Sequence, residues 1–148
     1  MENRKEIVKM LCEEAERSGP IEVARCAFGG GVRVSIPFDR MGADASIDEL
    51  DFSVRATNCL HREGRVTVGD VIDVVASGEI SHYRNVGRKT VSEIKSKLLI
   101  YGYSKLNDAE RAAFWNGIIE QNGIDEKAVL ALRDMCERGK IKRAVAEK

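Results

Sequence analysis

The chain has 148 residues, 43% hydrophobic and 32% charged, which suits one domain of ordinary size, or a small one with arms, and excludes a disordered or membrane-embedded protein. Its 24 Lys and Arg balance 24 Asp and Glu, which excludes a globally basic nucleic-acid binder and leaves a local basic face open. Aromatics at 5% are too few for a platform that stacks single strands. No apolar run reaches the ~18 residues of a membrane span. The N-terminus, MENRKEIVKM, carries charges where a signal peptide needs an apolar core, so a cytoplasmic protein is expected.

Residues 2–18 read as a helix, with Ile7, Met10, Leu11 and Glu14 or Ala15 on one face and Gly19-Pro20 as its stop. In residues 21–38, Ile21, Val23, Val32, Val34 and Ile36 alternate with polar or small residues around Gly29-Gly30-Gly31. That pattern predicts a β-hairpin. The competing reading is a short helix over 20–28, with Pro20 at its start and Gly29 as its cap. A lone two-stranded ribbon is marginal in water, so it would need the N-terminal helix or a partner to pack on. Residues 39–46 read as a linker.

From Ile47 the spacing predicts short helices with tight connections. Ser46 or Asp48 can cap a brief turn. Ser53 can cap a helix over 54–63, with Val54, Cys59 and Leu60 as its buried stripe. Thr67 can cap a helix over 68–75, with Val68, Val71, Ile72 and Val75 on one face. A short turn over 79–83 and the tight connection Asn85-Val86-Gly87 follow. A strong helix then starts at Lys89 or Thr90 and runs to Ile100, with Gly102 after it. Asn107 can cap a helix over 108–121 that carries Trp115, read as an anchor in a small core or interface. Asp125 can cap a last helix over 126–138, and the basic end RGKIKRAVAEK is expected to fray. Its Arg138, Lys140, Lys142 and Arg143 read as a solvated tail before a DNA-backbone contact.

The four cysteines, Cys12, Cys26, Cys59 and Cys136, have no C-x2-4-C spacing, so free thiols are expected and no structural zinc. Catalysis by Cys59 with His61 would need a spatial pairing that spacing does not supply. No P-loop, nucleophile motif or acidic metal cluster points to an enzyme, and no cofactor is expected.

Two stretches carry chemistry. Tyr83–Lys97, YRNVGRKTVSEIKSK, has the pattern of a helix-hairpin-helix unit. Gly87 permits close approach, and the unpaired amides of the following helix start form a phosphate seat supported by Arg88, Lys89 and the Thr90 hydroxyl. The plainer reading is a capped helix start with solvated charges. In SVRATNCL, Arg55 and Asn58 share one face near a helix start. Arg is unfavourable for the dipole there, which hints at a task, although Asp51 could pair with it.

The blocks IDELDFSVRATNCLHREG, TVGDVID and RNVGRKTVSEIKSKL, in that order, closely resemble the C-terminal domain of the bacterial RNA polymerase alpha subunit. The resemblance spans residues 47–105. It implies a compact bundle of short helices with a helix-hairpin-helix-like end that binds A/T-rich DNA in the minor groove, and also sigma factor and activators. By position it assigns Arg55 to the minor groove, Asn58 and Cys59 to backbone contacts, and Gly87, Lys89 and Thr90 to the hairpin and helix start, with Glu93 beside them. Asp48, Glu49 and Asp51 match an acidic patch used against sigma. A narrow A/T minor groove concentrates negative potential and attracts an inserted Arg.

The resemblance has departures. His82-Tyr83-Arg84 stands where the family often has a proline-containing turn, and the preceding segment is one residue longer. Residues 1–46 are too few for the family's large dimerising domain, so a free-standing domain with additions is expected.

The expected architecture is therefore mainly α. Residues 1–46 form an N-terminal helix and hairpin, 47–105 the alpha-C-terminal-like domain, and 106–148 a C-terminal helical pair. The expected function is that of a nucleoid-associated, DNA-binding transcription accessory protein. Its partners would be double-stranded DNA and, through the same domain, RNA polymerase, sigma or activators, and the arms could pair two copies. The alternative is a protein-interaction module that mimics this domain and captures regulators without significant DNA binding.

Overall fold

The computed structural model describes residues 3–29, 31–40, 42–84 and 86–146, with side chains through Arg138. The protein divides into two compact units, one formed by the segments up to Ser35 and from Leu106 on, the other by Ile36–Lys105.

The flanking unit is built from α1 (Arg4–Ser18), α2 (Pro20–Phe28), α6 (Asp108–Asn122) and α7 (Glu126–Ala146). Its core holds Leu11, Val23, Trp115 and Leu132, all fully enclosed. Helix α1 packs on α2, α6 and α7. It starts at Asn3, whose side chain accepts from the Glu6 amide, and Gly19 ends it with a positive φ of 85°. Glu14 is a buried carboxylate, and Arg17 and Ser18, one turn further on, supply its donors. Trp115, expected as a core anchor, is fully buried. Asn107 and Glu110 form a reciprocal capping box at the start of α6.

The expected hairpin is absent among the described residues. Residues 20–28 are helical, and 32–37 follow without helix or strand structure. Pro20 sits in the first turn with its φ already set for a helix. Val23, Ala24 and Ala27 then form the inward stripe of α2, which packs on α1 and α7. The alternation that suggests a strand thus also satisfies a helical period, and burial on two neighbouring helices decides between them.

The central unit, Ile36–Lys105, holds α3 (Val54–Arg62), α4 (Val68–Ala76) and α5 (Arg88–Ser104), with 3-10 turns at Phe38–Arg40, Ile47–Leu50 and Glu79–His82. One core joins Ile47, Leu50, Ala56, Leu60, Val68, Val71, Val74, Ile80, Ile94 and Leu98, and Ile36 and Phe38 pack against it. Residues 42–46, expected as linker, lie along the start of α4. The Ala45 and Ala43 carbonyls accept from the Val68 and Gly69 amides at 2.8 and 3.0 Å. A Cβ on Gly69 would stand 3.0 Å from the Ala43 oxygen, so glycine is what lets the strap lie this close.

Three boundary expectations change. Val54 is 77% exposed, because the inward face of α3 begins at Ala56 and continues to Cys59 and Leu60. Gly102 does not end α5; it is buried within the helix, which runs to Ser104. The basic C-terminus continues α7 as helical backbone to Ala146. Glu2, Gly30 and Asn85, and the side chains of Lys140, Lys142 and Arg143, lie outside the described residues.

Candidate nucleic-acid interface

Helix α3 is anchored at its N-cap, Ser53. The Ser53 hydroxyl accepts from the Ala56 amide at 3.2 Å, the side-chain cap that the sequence suggests. The Ser53 amide and hydroxyl both donate to the Glu93 carboxylate, each at 2.7 Å. One carboxylate on the second turn of α5 thus pins the start of α3. Arg55 follows two residues later and Asn58 another turn on, both exposed. Asp51 pairs with Lys97 at 3.9 Å and not with Arg55.

Helix α5 starts differently from most other helices of the protein. Asn3, Ser53, Thr67 and Asn107 each cap their own helix by a side chain. Gly87 precedes α5 in an extended conformation and offers no side-chain cap, and the first turn has no acidic residue. Its leading amides therefore lack a side-chain acceptor and present the positive end of the helix. Arg88 and Lys89 are exposed there. A shallow groove of about 560 Å³ runs beside this start, lined by Gly87, Arg88, Ser92 and Lys95 among others.

Two expected contact residues face inward. Cys59 is 6% exposed and Thr90 7%, so neither side chain projects into solvent. Cys59 and His61 also part company, the first buried and the second exposed, so they do not form a catalytic pair. The structure therefore ties the start of α3, which carries exposed Arg55 and Asn58, to Glu93 of α5, whose start carries Gly87 and exposed Lys89, while Cys59 and Thr90 are buried. Glu93 is engaged with Ser53, a residue whose capping role is local and legible but whose partner lies 40 positions away.

The acidic residues lie on and just after the turn Ile47–Leu50. Asp48, Glu49 and Asp51 are all exposed, Asp51 with 97% of its side chain open and a left-handed φ of 56°. Glu49 accepts from the Tyr101 hydroxyl at 3.0 Å, and this hydrogen bond holds the phenol above its usual pKa. The Lys105 ammonium sits 4.9 Å over the same ring. Exposed pairs of this kind contribute little to stability, so the patch keeps its charge available. Among the described residues no helix is long and apolar enough to cross a membrane.

Residues 39–99 match the family model for the C-terminal domain of the bacterial RNA polymerase alpha subunit. A DNA-directed RNA polymerase subunit alpha from Rubrobacter xylanophilus is 45% identical over 58 residues, covering 39% of this protein and 18% of that subunit. The protein thus spans less than a fifth of the length of this relative. No solved structure is a significant match. The central unit is an alpha-C-terminal-domain-like module carried between two segments outside the match.

Proposed function

We propose that this protein is a transcription accessory factor whose central unit binds A/T-rich duplex DNA through the minor groove. The observation that carries the reading is the Ser53–Glu93 clamp. It holds the α3 start, with Arg55 and Asn58, against the helix whose uncapped first turn presents Arg88 and Lys89. The Arg55 guanidinium would enter a narrow minor groove, where the negative potential is strongest. The α5 amides and Lys89 would hold a flanking phosphate, and Asn58 would donate to the backbone. Such a small set of phosphate contacts supports only weak binding by one copy, roughly 10⁻⁴–10⁻⁶ M. The flanking unit would then serve as a tether, joining copies or attaching a partner. No step of bond chemistry belongs to this role.

A second contact is favoured by one observation, the exposed acidic trio Asp48, Glu49 and Asp51 on a separate element from the cationic helix starts. It would meet a basic surface of sigma factor, an activator or another part of the polymerase. The interaction-module reading keeps this contact and drops the DNA.

The test is a fluorescence-anisotropy titration of wild type and Arg55→Ala against a labelled A-tract duplex and a G/C-rich control at two salt concentrations. Tighter A-tract binding that Arg55→Ala removes is the expected result. Absence of binding to either duplex at low salt overturns the DNA reading in favour of protein partners.

A further inference from the structure

We propose that a second copy of this protein docks about a twofold axis on the α7 face of the flanking unit, and that the docking surface is the stripe Glu126, Val129, Leu130 and Arg133. The inference deepens the proposed tethering role of that unit and names its surface. A groove of about 720 Å³ opens beside the stripe, with Ile7 and Ile119 at its base. Leu130 stands on its wall with 63% of its surface exposed, a large apolar side chain turned to solvent beside other apolar groups.

The identity of the occupant follows from the order of the stripe. Positions 126, 129, 130 and 133 are spaced i, i+3, i+4 and i+7, so they share one helix face. The face has an acid at one end, a base at the other and two apolar residues between. Turned antiparallel about the midpoint of Val129 and Leu130, it is its own complement. Glu126 meets Arg133 of the partner subunit, and Val129 meets Leu130 of the partner subunit. Each pair then occurs twice, as a twofold interface requires. A parallel arrangement would set acid on acid and base on base. Arg133 also has an interaction within its own subunit. Its guanidinium carries five donors, enough to serve both that contact and a partner carboxylate.

The experiment is sedimentation velocity of the full-length protein over a wide concentration range, with circular dichroism of every variant to verify folding. Wild type should self-associate to a dimer, and Leu130→Asp, at an exposed position, should sediment as a monomer. Glu126→Arg alone and Arg133→Glu alone should each be monomeric, since each places like charges across the axis. Mixed in equal amounts they should form a heterodimer, and the double exchange Glu126→Arg with Arg133→Glu should restore the homodimer. A monomeric wild type at the highest concentration overturns the inference. So does a dimer that survives Leu130→Asp, or folded single variants that do not pair when mixed. The A-tract titration with Arg55→Ala reads the DNA role separately, so either proposal can fail alone.

Discussion

Asn122 grips the backbone of Arg33 with both ends of its side-chain amide. Its Oδ1 accepts from the Arg33 amide at 2.9 Å, and its Nδ2 donates to the Arg33 carbonyl at 2.8 Å. The same Nδ2 reaches the Ile118 carbonyl one turn back at 3.0 Å. The irregular segment after α2 therefore takes its backbone pairing at Arg33 from one side chain. Replacing Asn122 by Ala should cost about 1 kcal/mol, since the two hydrogen bonds to the Arg33 backbone are lost. Trp115, the protein's one tryptophan and fully buried in the flanking unit, reports this unfolding by its fluorescence in a urea titration.

Ser53→Ala should remove the α3 cap and the hydroxyl half of the link to Glu93, leaving the amide donor in place, at a cost of about 1 kcal/mol of stability. If the clamp sets the interface, A-tract preference should fall in the same variant, while Val54→Ala, at an exposed neighbour outside the clamp, should change neither. Chemical denaturation and the anisotropy titration read the two effects.

Lys89→Ala should weaken binding to A-tract and G/C-rich duplexes alike and lower the slope of log K against log salt by about one unit. Arg55→Ala should instead erase the difference between the sequences. Affinities of both variants over a salt series distinguish a phosphate contact from a groove contact.

Asp70 accepts from the Val66 and Thr67 amides at 3.0 and 3.1 Å, and these hydrogen bonds, Val66 foremost, hold its carboxyl below the usual value. A depressed native pKa stabilises the fold fully above the unfolded-state value of about 3.9 and loses that contribution as pH falls through the native value. Asp70→Asn should therefore be less stable than wild type at neutral pH, and the gap should close on acidification. Thermal melts of both proteins across that range give the comparison.

Burial raises the thiols of Cys12, Cys26 and Cys136 above their ordinary pKa, so little thiolate is present at neutral pH. Cys26 is the exposed one, and Cys59 and Cys136 are buried. Alkylation followed by peptide mapping should label Cys26 first, accelerate as pH rises, and reach Cys59 and Cys136 only with denaturant.

Helix starts are legible because their chemistry is local. Asn107 with Glu110 and Thr67 with Asp70 satisfy each other within four residues, so the capping boxes stand in the sequence as written. The same holds for Arg55 and Asn58, whose spacing sets them on one face. Where a side chain points depends on what packs against it, and Val54 and Thr90 show the difference. Val54 lies on an apolar-looking stripe yet faces solvent, and Thr90 has a polar side chain at a helix start yet is buried.

Composition, caps and motif order already mark a helical protein, where most of its helices begin, and the resemblance of residues 47–105 to a polymerase alpha C-terminal domain. Those features rest on contacts within one or two turns, or on motif order along the polypeptide. Three-dimensional packing makes residues 20–28 a helix, because burial on α1 and α7 resolves a pattern that fits both periods. It alone joined the two end segments into one unit and set Ser53 on Glu93. Each of these pairings closes a long loop, and its partner is fixed by packing in three dimensions that no local spacing encodes.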